Sequence, residues 1–315
     1  MTLTRIVSPL VGVFLCPAAR ADSDDGGVWS SLSTPVLSVI DQRLAISESH
    51  NNNLYNFSNY LYIYLQWANG RVYLSMTTIN LTINATSGVR KANRQAVDAI
   101  MQCLANCSPT ILEGIVGGLS SPSKMPCYGY SIPAEHCKVG STLRGIAGSA
   151  CSICYALKGR YLFLNVRAAM DRRFSSIQLG SLWVAAMALL LKRRATNNFF
   201  RWHDSGDIQD TNHLHNICMI HDILPSLNGW LPTREYHILD TIDRAIPNNL
   251  TIRVSAHMMG KQAPSRFANS SMILAKGETT PSEVSDCPAY TQGGECKDCR
   301  NCWDKDIAVI AYPKH

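Results

Sequence analysis

Seven cysteines in two groups are the residues best suited to chemistry in this sequence. Cys137, Cys151 and Cys154 are spaced C-x13-C-x2-C. Cys287, Cys296, Cys299 and Cys302 lie in the stretch CPAYTQGGECKDCRNCWD, spaced C-x8-C-x2-C-x2-C, and Cys127 is a spare thiol ahead of both groups. A CxxC pair brings two sulfurs to one point with backbone amides facing them, which suits a metal or a cluster. A disulfide framework, a zinc site and an iron–sulfur cluster are the three readings. Disulfide-dense frameworks belong mainly to small secreted domains, whereas 315 residues can build a core of their own. Zinc ribbons use two separated CxxC pairs. The overlapping pairs here resemble part of a ferredoxin loop, which favours [4Fe–4S] and keeps zinc as the alternative. Four thiols close a site, while three leave one corner open to a substrate or cofactor. The spacing therefore predicts a closed centre in the tail and an open, reactive one at the first group.

Polar residues cluster at the ends of apolar segments. His203 and Asp204 end the stretch FFRW and continue into Ser205-Gly206-Asp207. Asp207 can orient a cationic amine, or cap a helix as a carboxylate favoured by the helix dipole. Arg234 suits a carboxylate or phosphate, or simply pairs with its neighbour Glu235. His257 is a candidate ligand or acid–base group. Lys158, Gly159 and Arg160 are placed to neutralise an anion near the cysteines. No GxGxxG, Walker or G-x-S-x-G motif occurs, which argues against dinucleotide, P-loop and serine-hydrolase chemistry.

The elements that must position these groups read as follows. VRKANRQAVDAIMQCLANC is an amphipathic helix by its spacing. MPCYGYSI holds a short strand, and a long loop then carries Cys137, Cys151 and Cys154. Residues 165–194 are helical with a break at Leu179-Gly180-Ser181. Phe199 to His203 is a strand, and TNHLHNICMIHDIL is a helix capped at Thr211. Strands follow in GWLPTREYHIL, NLTIRVSAH and IAVIAYP, with a short helix at DTIDRAI between the first two. Strands alternating with helices predict an α/β fold with a mainly parallel sheet, open or rolled into a partial TIM-like barrel. Ligands bind such sheets at the carboxyl ends of the strands. The expected organisation is a signal or extension over 1–21, an α+β or irregular segment over 22–123, and the α/β domain over 124–315 with its cysteine-rich, metal-binding tail at 287–302.

EHCKVGSTLRGIAGSACSICYALKGRY, RWHDSGDIQ, WLPTREYHIL, NLTIRVSAHM, the cysteine tail and the closing YPKH, in that order, resemble the bacteriophage gene product 88 family over residues 124–315. More distantly, the layout resembles radical S-adenosylmethionine enzymes. That resemblance implies a [4Fe–4S] cluster held by Cys137, Cys151 and Cys154 in a loop after the first strand, with Cys154-Tyr155-Ala156 closing the loop. It also implies that Ser205, Gly206 and Asp207 hold the amino group of S-adenosylmethionine. The spacing C-x13-C-x2-C departs from the usual C-x3-C-x2-C.

The net charge of +6 is compatible with an anionic ligand but does not require nucleic acid. No apolar run reaches the roughly 18–20 residues a membrane span needs, and LWVAAMALLL fits a buried helix better. The N-terminus has Arg5, an apolar stretch and Ala19-Arg20-Ala21, the pattern of a secretory signal, interrupted by Pro9. The sequons at Asn80 and Asn84 matter only in a glycosylating route. Iron–sulfur ligation needs reduced thiols, which places the protein in the cytoplasm. The leading expectation is an iron–sulfur enzyme of radical S-adenosylmethionine type. The alternatives are a zinc- or cluster-stabilised binding protein, with nucleic acid as one partner it could have, and a secreted disulfide-bonded protein.

Overall fold

The computed structural model describes residues 12–15, 61–68, 71–78 and 88–313. Most of the signal-like start and both sequons lie outside the described residues. The chain divides into two compact units, Met1–Ser87 and Gly88–His315. In the first, β1 (Gly12–Leu15), β2 (Leu61–Ala68) and β3 (Arg71–Thr78) form an antiparallel sheet in the order β1-β3-β2.

The second unit begins well before residue 124. Helix α1 (Arg94–Leu104), capped by the Asn93 side chain on the Ala96 amide, and α2 (Pro109–Val116) belong to it. The residues leading into α1 are tied to the middle of the chain. Val89 N donates to Asp210 at 2.8 Å, and Ala92 N donates to Asn216 at 2.8 Å.

Seven strands form its sheet: β4 (Gly129–Tyr130), β5 (Phe199–Trp202), β6 (Asn228–Thr233), β7 (Leu250–Ser255), β8 (Ser270–Ile273), β9 (Ser285–Asp286) and β10 (Val309–Tyr312). Their order is β4-β5-β6-β7-β8-β10-β9, and every pairing is parallel. From β4 to β8 the spatial order follows the chain order. Right-handed crossovers that always step the same way place their helices on one face, so the other face is left for something else. The sheet does not close on itself, and β4 and β9 are its edges. It is nevertheless curved. Phe199 of β5 and Ile310 and Tyr312 of β10 pack into one cluster with Trp230 and Trp303, although four strand spacings on a flat sheet would span about 19 Å.

The helical face is apolar. Helix α4 (Leu164–Ser176) continues as a 3-10 turn, Ile177–Leu179, to Gly180, whose φ of +56° turns the chain into α5 (Ser181–Arg194). This is the break read from Leu179-Gly180-Ser181. Trp183, Val184, Met187 and Leu190 of α5 are fully buried, and the ring of Trp183 meets that of Trp202 at 6.0 Å. Helix α6 (Thr211–Ile223) is capped by Asp210, one residue before the expected Thr211, because Asp210 reaches the His213 amide at 2.8 Å. Helix α7 (Tyr236–Thr241) starts ahead of DTIDRAI, directly after β6. Strands β8 and β9, both short, have no counterpart in the sequence reading.

His221 of α6 is fully buried against this face. Its Nε2 accepts from Trp202 Nε1 at 2.9 Å and its Nδ1 faces the Leu227 carbonyl at 3.2 Å. Gly229 makes room for it, since a Cβ there would stand 2.3 Å from His221 Cε1. Burial lowers the His221 pKa to about 4. The unfolded chain, with a value near 6.5, takes up the proton first. Stability is therefore full above pH 6.5 and falls as pH drops from about 6.5 to about 4, by about 3 kcal/mol for this residue. His221→Gln keeps both hydrogen bonds without titrating. Its melting temperature should fall less steeply than that of the parent between pH 6.5 and 4; parallel acid limbs would show that His221 does not govern the loss.

Candidate functional site

The face opposite the helices is unusually polar. Along β7 the alternate residues Thr251, Arg253 and Ser255 point inward, while Leu250, Ile252 and Val254 point to the helices, following the two-residue period of a strand. On β5 and β6 the inward series continues as Arg201, Trp230 and Pro232, each of which lines a cavity of about 1280 Å³. Of the seven expected ligand cysteines, Cys137, Cys151, Cys154, Cys287, Cys296 and Cys302 line this one cavity; Cys299 does not.

The first group is assembled by three separate ties. Cys137 caps α3 (Lys138–Leu143), and the first turn of α3 is held by Glu235, whose Oε1 accepts from Val139 N at 2.8 Å. Glu235 is fully buried, and it anchors this helix rather than pairing with Arg234. The strand-like residue Ser149 bridges Met258, and Ala150 N donates to the His257 carbonyl at 2.9 Å, which pins the second half of the loop to the end of β7. Cys151 and Cys154 then share a tight turn, with Cys154 N donating to Cys151 O at 3.2 Å.

Gly140 lets the sulfurs approach. The point where its Cβ would stand is 2.9 Å from Cys137 Cβ, 3.7 Å from Cys137 Sγ and 3.5 Å from Cys151 Sγ. The two sulfurs are thus no further apart than those last two distances laid end to end. Burial raises the thiols of Cys137 and Cys151, and each is raised further by Cys154 and by Asp207. Among the described residues, no set of three or more His, Cys, Asp or Glu side chains is arranged to hold a metal ion. The thiols that meet at Gly140 are the donor type that either zinc or an iron–sulfur cluster takes.

Ser205-Gly206-Asp207 lies at the carboxyl end of β5, beside the same cavity. Asp207 Oδ1 accepts from Ile208 N at 2.8 Å and Thr233 Oγ1 at 2.7 Å, and its Oδ2 accepts from Arg234 N at 2.9 Å. Burial pushes its carboxyl up to about 6 in spite of these bonds. His203 has φ +55° and its Nδ1 faces the Tyr130 carbonyl at 3.1 Å, which leaves Nε2 as an acceptor without a partner. Burial holds its pKa down to about 4, so the ring is neutral. Asp204 accepts from Ser131 Oγ and, at 3.1 Å, from Tyr161 Oη. Tyr155 exposes 54% of its surface while its hydroxyl reaches inward to the Asp204 carbonyl. Arg234 lines the cavity. His257 does not: its Nε2 faces the Arg234 carbonyl at 3.0 Å, and its ring stacks on Tyr236 at 4.1 Å.

The tail lies across the inner face. The Trp303 ring packs edge-on to Trp230 at 5.3 Å and Phe199 at 5.5 Å, and its Nε1 donates to the Phe200 carbonyl at 2.9 Å. Cys127 and Cys287 pack against the same core as Cys302, whose sulfur is 3.3 Å from Tyr312 Oη. Cys296 N donates to the Lys124 carbonyl at 3.1 Å, and its sulfur meets Met125 Sδ at 3.7 Å. Burial pushes the thiols of Cys127 and Cys302 up to about 12. None of Cys127, Cys137, Cys151, Cys154, Cys287, Cys296, Cys299 and Cys302 is in a disulfide.

Gly140 is legible in the sequence as a glycine that lets the cysteine loop fold back, and it stands between Cys137 and Cys151. Two residues beside the site escape a reading of the sequence: Glu235, which looks like the partner of the adjacent Arg234, and Arg201, which looks like an exposed residue of an alternating strand. Only the inward direction of the polar face reveals them. Among the described residues, no single helix is long and apolar enough to cross a membrane.

No curated protein and no solved structure matches the chain. The family model described as gene product 88 matches residues 108–305, a span that takes in both cysteine groups and every strand of the parallel sheet except β10. By that match, over well more than half of its length, the chain belongs to the gene product 88 family.

Proposed function

We propose that the protein is an iron–sulfur enzyme of radical S-adenosylmethionine type, held in a reducing compartment such as the cytoplasm. The observation that supports this reading most is the meeting of Cys137, Cys151 and Cys154 with Asp207 and Arg234 on one cavity at the carboxyl end of a parallel sheet. A [4Fe–4S] cluster on three thiolates supplies an iron with one open position and a one-electron couple. The chain's own part is to position. Glu235 and the Ser149–Met258 bridge fix the two halves of the cysteine loop. Asp207, fixed by Thr233 and the Arg234 amide, presents a carboxylate edge for the amino group of S-adenosylmethionine. Tyr155 and Tyr161 line the cavity and hydrogen-bond to Asp204. The tail thiols, with Cys127 beside them, are the ligands for a second centre.

Iron and acid-labile sulfide, measured on anaerobically purified protein, test this. At least four irons and four sulfides per chain are expected, in line with one [4Fe–4S] cluster. Cys151→Ser should remove the share owed to the first group and leave any iron bound by the tail. Zinc in place of iron, or iron unchanged in Cys151→Ser, would overturn the assignment.

A further inference from the structure

The cavity carries a surplus of positive charge that its own residues do not balance. Lys124, Arg144, Arg160, Arg173, Arg201 and Arg234 line it, against only two carboxylates, Asp204 and Asp207. Both carboxylates are engaged, Asp204 by Ser131 and Tyr161, and Asp207 by Ile208, Thr233 and the Arg234 amide. The ion pairs among the described residues involve none of these six cations. Arg173 gives its N–H groups to the carbonyls of Gly118 and Ser131.

Arg201 has no carbonyl outlet of this kind, although the Tyr155 hydroxyl and the Asp204 carboxylate stand beside it. It stands mid-strand on the inner face, its guanidinium 4.5 Å over the Trp230 ring. Its Nη1 reaches only the soft sulfur of Met125 at 3.6 Å, and its Nε is enclosed without any acceptor. Arg144 Nε is enclosed in the same way. The Asp204 carboxylate lies close enough to favour the charged guanidinium of Arg201, but the unpaired Nε still has a hydrogen bond to give to an anion entering the cavity. The planar guanidinium fork matches a carboxylate or phosphate edge-on. Stacking on tryptophan holds the plane still and leaves that edge open.

We propose that Arg201, laid on Trp230, is the anion-binding floor of the cavity, and that the substrate is a small molecule bearing a carboxylate or phosphate group. This names the substrate class for the site of the proposed function and rests on that reading for its role in a reaction. The binding itself requires no iron. Two further groups lie in the same space without partners: His203 Nε2, an acceptor, and Ser205 Oγ. They suit a hydroxyl or amine on the body of the ligand. Tyr155 links the anion to the reactive end, since its backbone follows Cys154 and its hydroxyl shares the neighbourhood of Arg201.

The test titrates the full chain, purified anaerobically, with inorganic phosphate and separately with malonate, at constant ionic strength set by chloride. Thermal unfolding is the readout. A saturable rise in melting temperature with at least one anion is expected, and the tighter of the two identifies the source as phosphate or carboxylate. Arg201→Gln should weaken that response at least tenfold. A second measurement needs only the parent protein: phenylglyoxal modification mapped by peptide mass spectrometry, in which the anion protects Arg201 but not the exposed Arg94. Equal saturation in Arg201→Gln, equal protection of both arginines, or no saturable response to either anion would each overturn the proposal. Iron content, measured on the same samples, would judge the iron–sulfur reading separately.

Discussion

Arg253→Met should be among the most destabilising single substitutions in this protein. Arg253 is fully buried on the inner face of β7 and has no carboxylate partner among the described residues. It donates instead to five backbone carbonyls: Cys302 at 3.0 Å, Asn301 at 2.9 Å, Ile307 at 2.9 Å, Ser270 at 3.4 Å, and Asp304. Four of these belong to the segment that carries the last cysteine. Methionine fills similar volume but withdraws a donor from all five. Ile307 keeps Asn269 Nδ2 at 3.0 Å and Asn301 keeps the Asp304 amide at 3.2 Å, while the buried carbonyls left without a donor cost about 1–3 kcal/mol each before relaxation. Losses of this kind do not add in full, so a net cost of about 3–5 kcal/mol is expected. At roughly 2–4 °C per kcal/mol for a unit of this size, the melting temperature should fall by roughly 10 °C. Arg253→Lys, with three donors and no fork, should recover only part of this. A drop of a degree or two for Arg253→Met would mean that water, and not Arg253, serves those carbonyls.

Gly206→Ala should also be severe, for two separable reasons. Gly206 has φ +84°, where an L side chain is strained. A Cβ there would also stand 2.2 Å from Ile132 Cγ1 and 2.8 Å from the Ile132 carbonyl oxygen. Ile132 N donates to Ser205 O at 2.9 Å, so the loops after β4 and β5 are clasped at this point and cannot part cheaply. Backbone strain of about 1 kcal/mol and overpacking of about 1–3 kcal/mol combine to roughly 2–4 kcal/mol. Gly277 provides the control. It has the same φ of +84°, but a Cβ there meets nothing within 4 Å, so Gly277→Ala carries the strain without the collision. Equal losses of stability in the two variants would show that the contact with Ile132 gives way freely.

The Gly206 result bears on what the sequence could disclose. Glycine before an acid at a strand end reads as room for a cofactor, yet the atoms that approach it are those of Ile132. The position was legible and its neighbour was not, because the contact joins residues 74 apart. The parallel sheet was legible from β-branched runs alternating with helical spacing. The break at Gly180 was legible because glycine alone accepts that backbone turn at low cost. Strands β8 and β9 were not, since SSMI and SD are too short to establish a period. Residues 89–93 read as the first turn of the amphipathic helix, but the helix starts at Arg94 behind its Asn93 cap, and the residues before it are instead tied to Asp210 and Asn216. The polarity of β7 misleads for a different reason. Thr251, Arg253 and Ser255 alternate as a solvent-facing edge would, but the face they occupy is covered by Trp303 and its neighbours.

The order of the last three strands in the sheet has a consequence for the order of events in biosynthesis. β10 lies between β8 and β9 although it follows both in the chain. When residues up to Asp286 have left the ribosome, β9 has no strand to join, because its partner begins at Val309. The connecting stretch Cys287–Cys302 is anchored to β7 by Arg253 and Thr251, but its first end is fixed through β9 only when β10 slots into place. Before that, the end of the stretch at Cys287 has no strand to hold it over the cavity. Insertion of β10 then completes the sheet and shuts the cover together. A strand placed out of sequence acts here as a latch, since the last strand of the chain is the one that locks both β9 and the tail onto a sheet already formed.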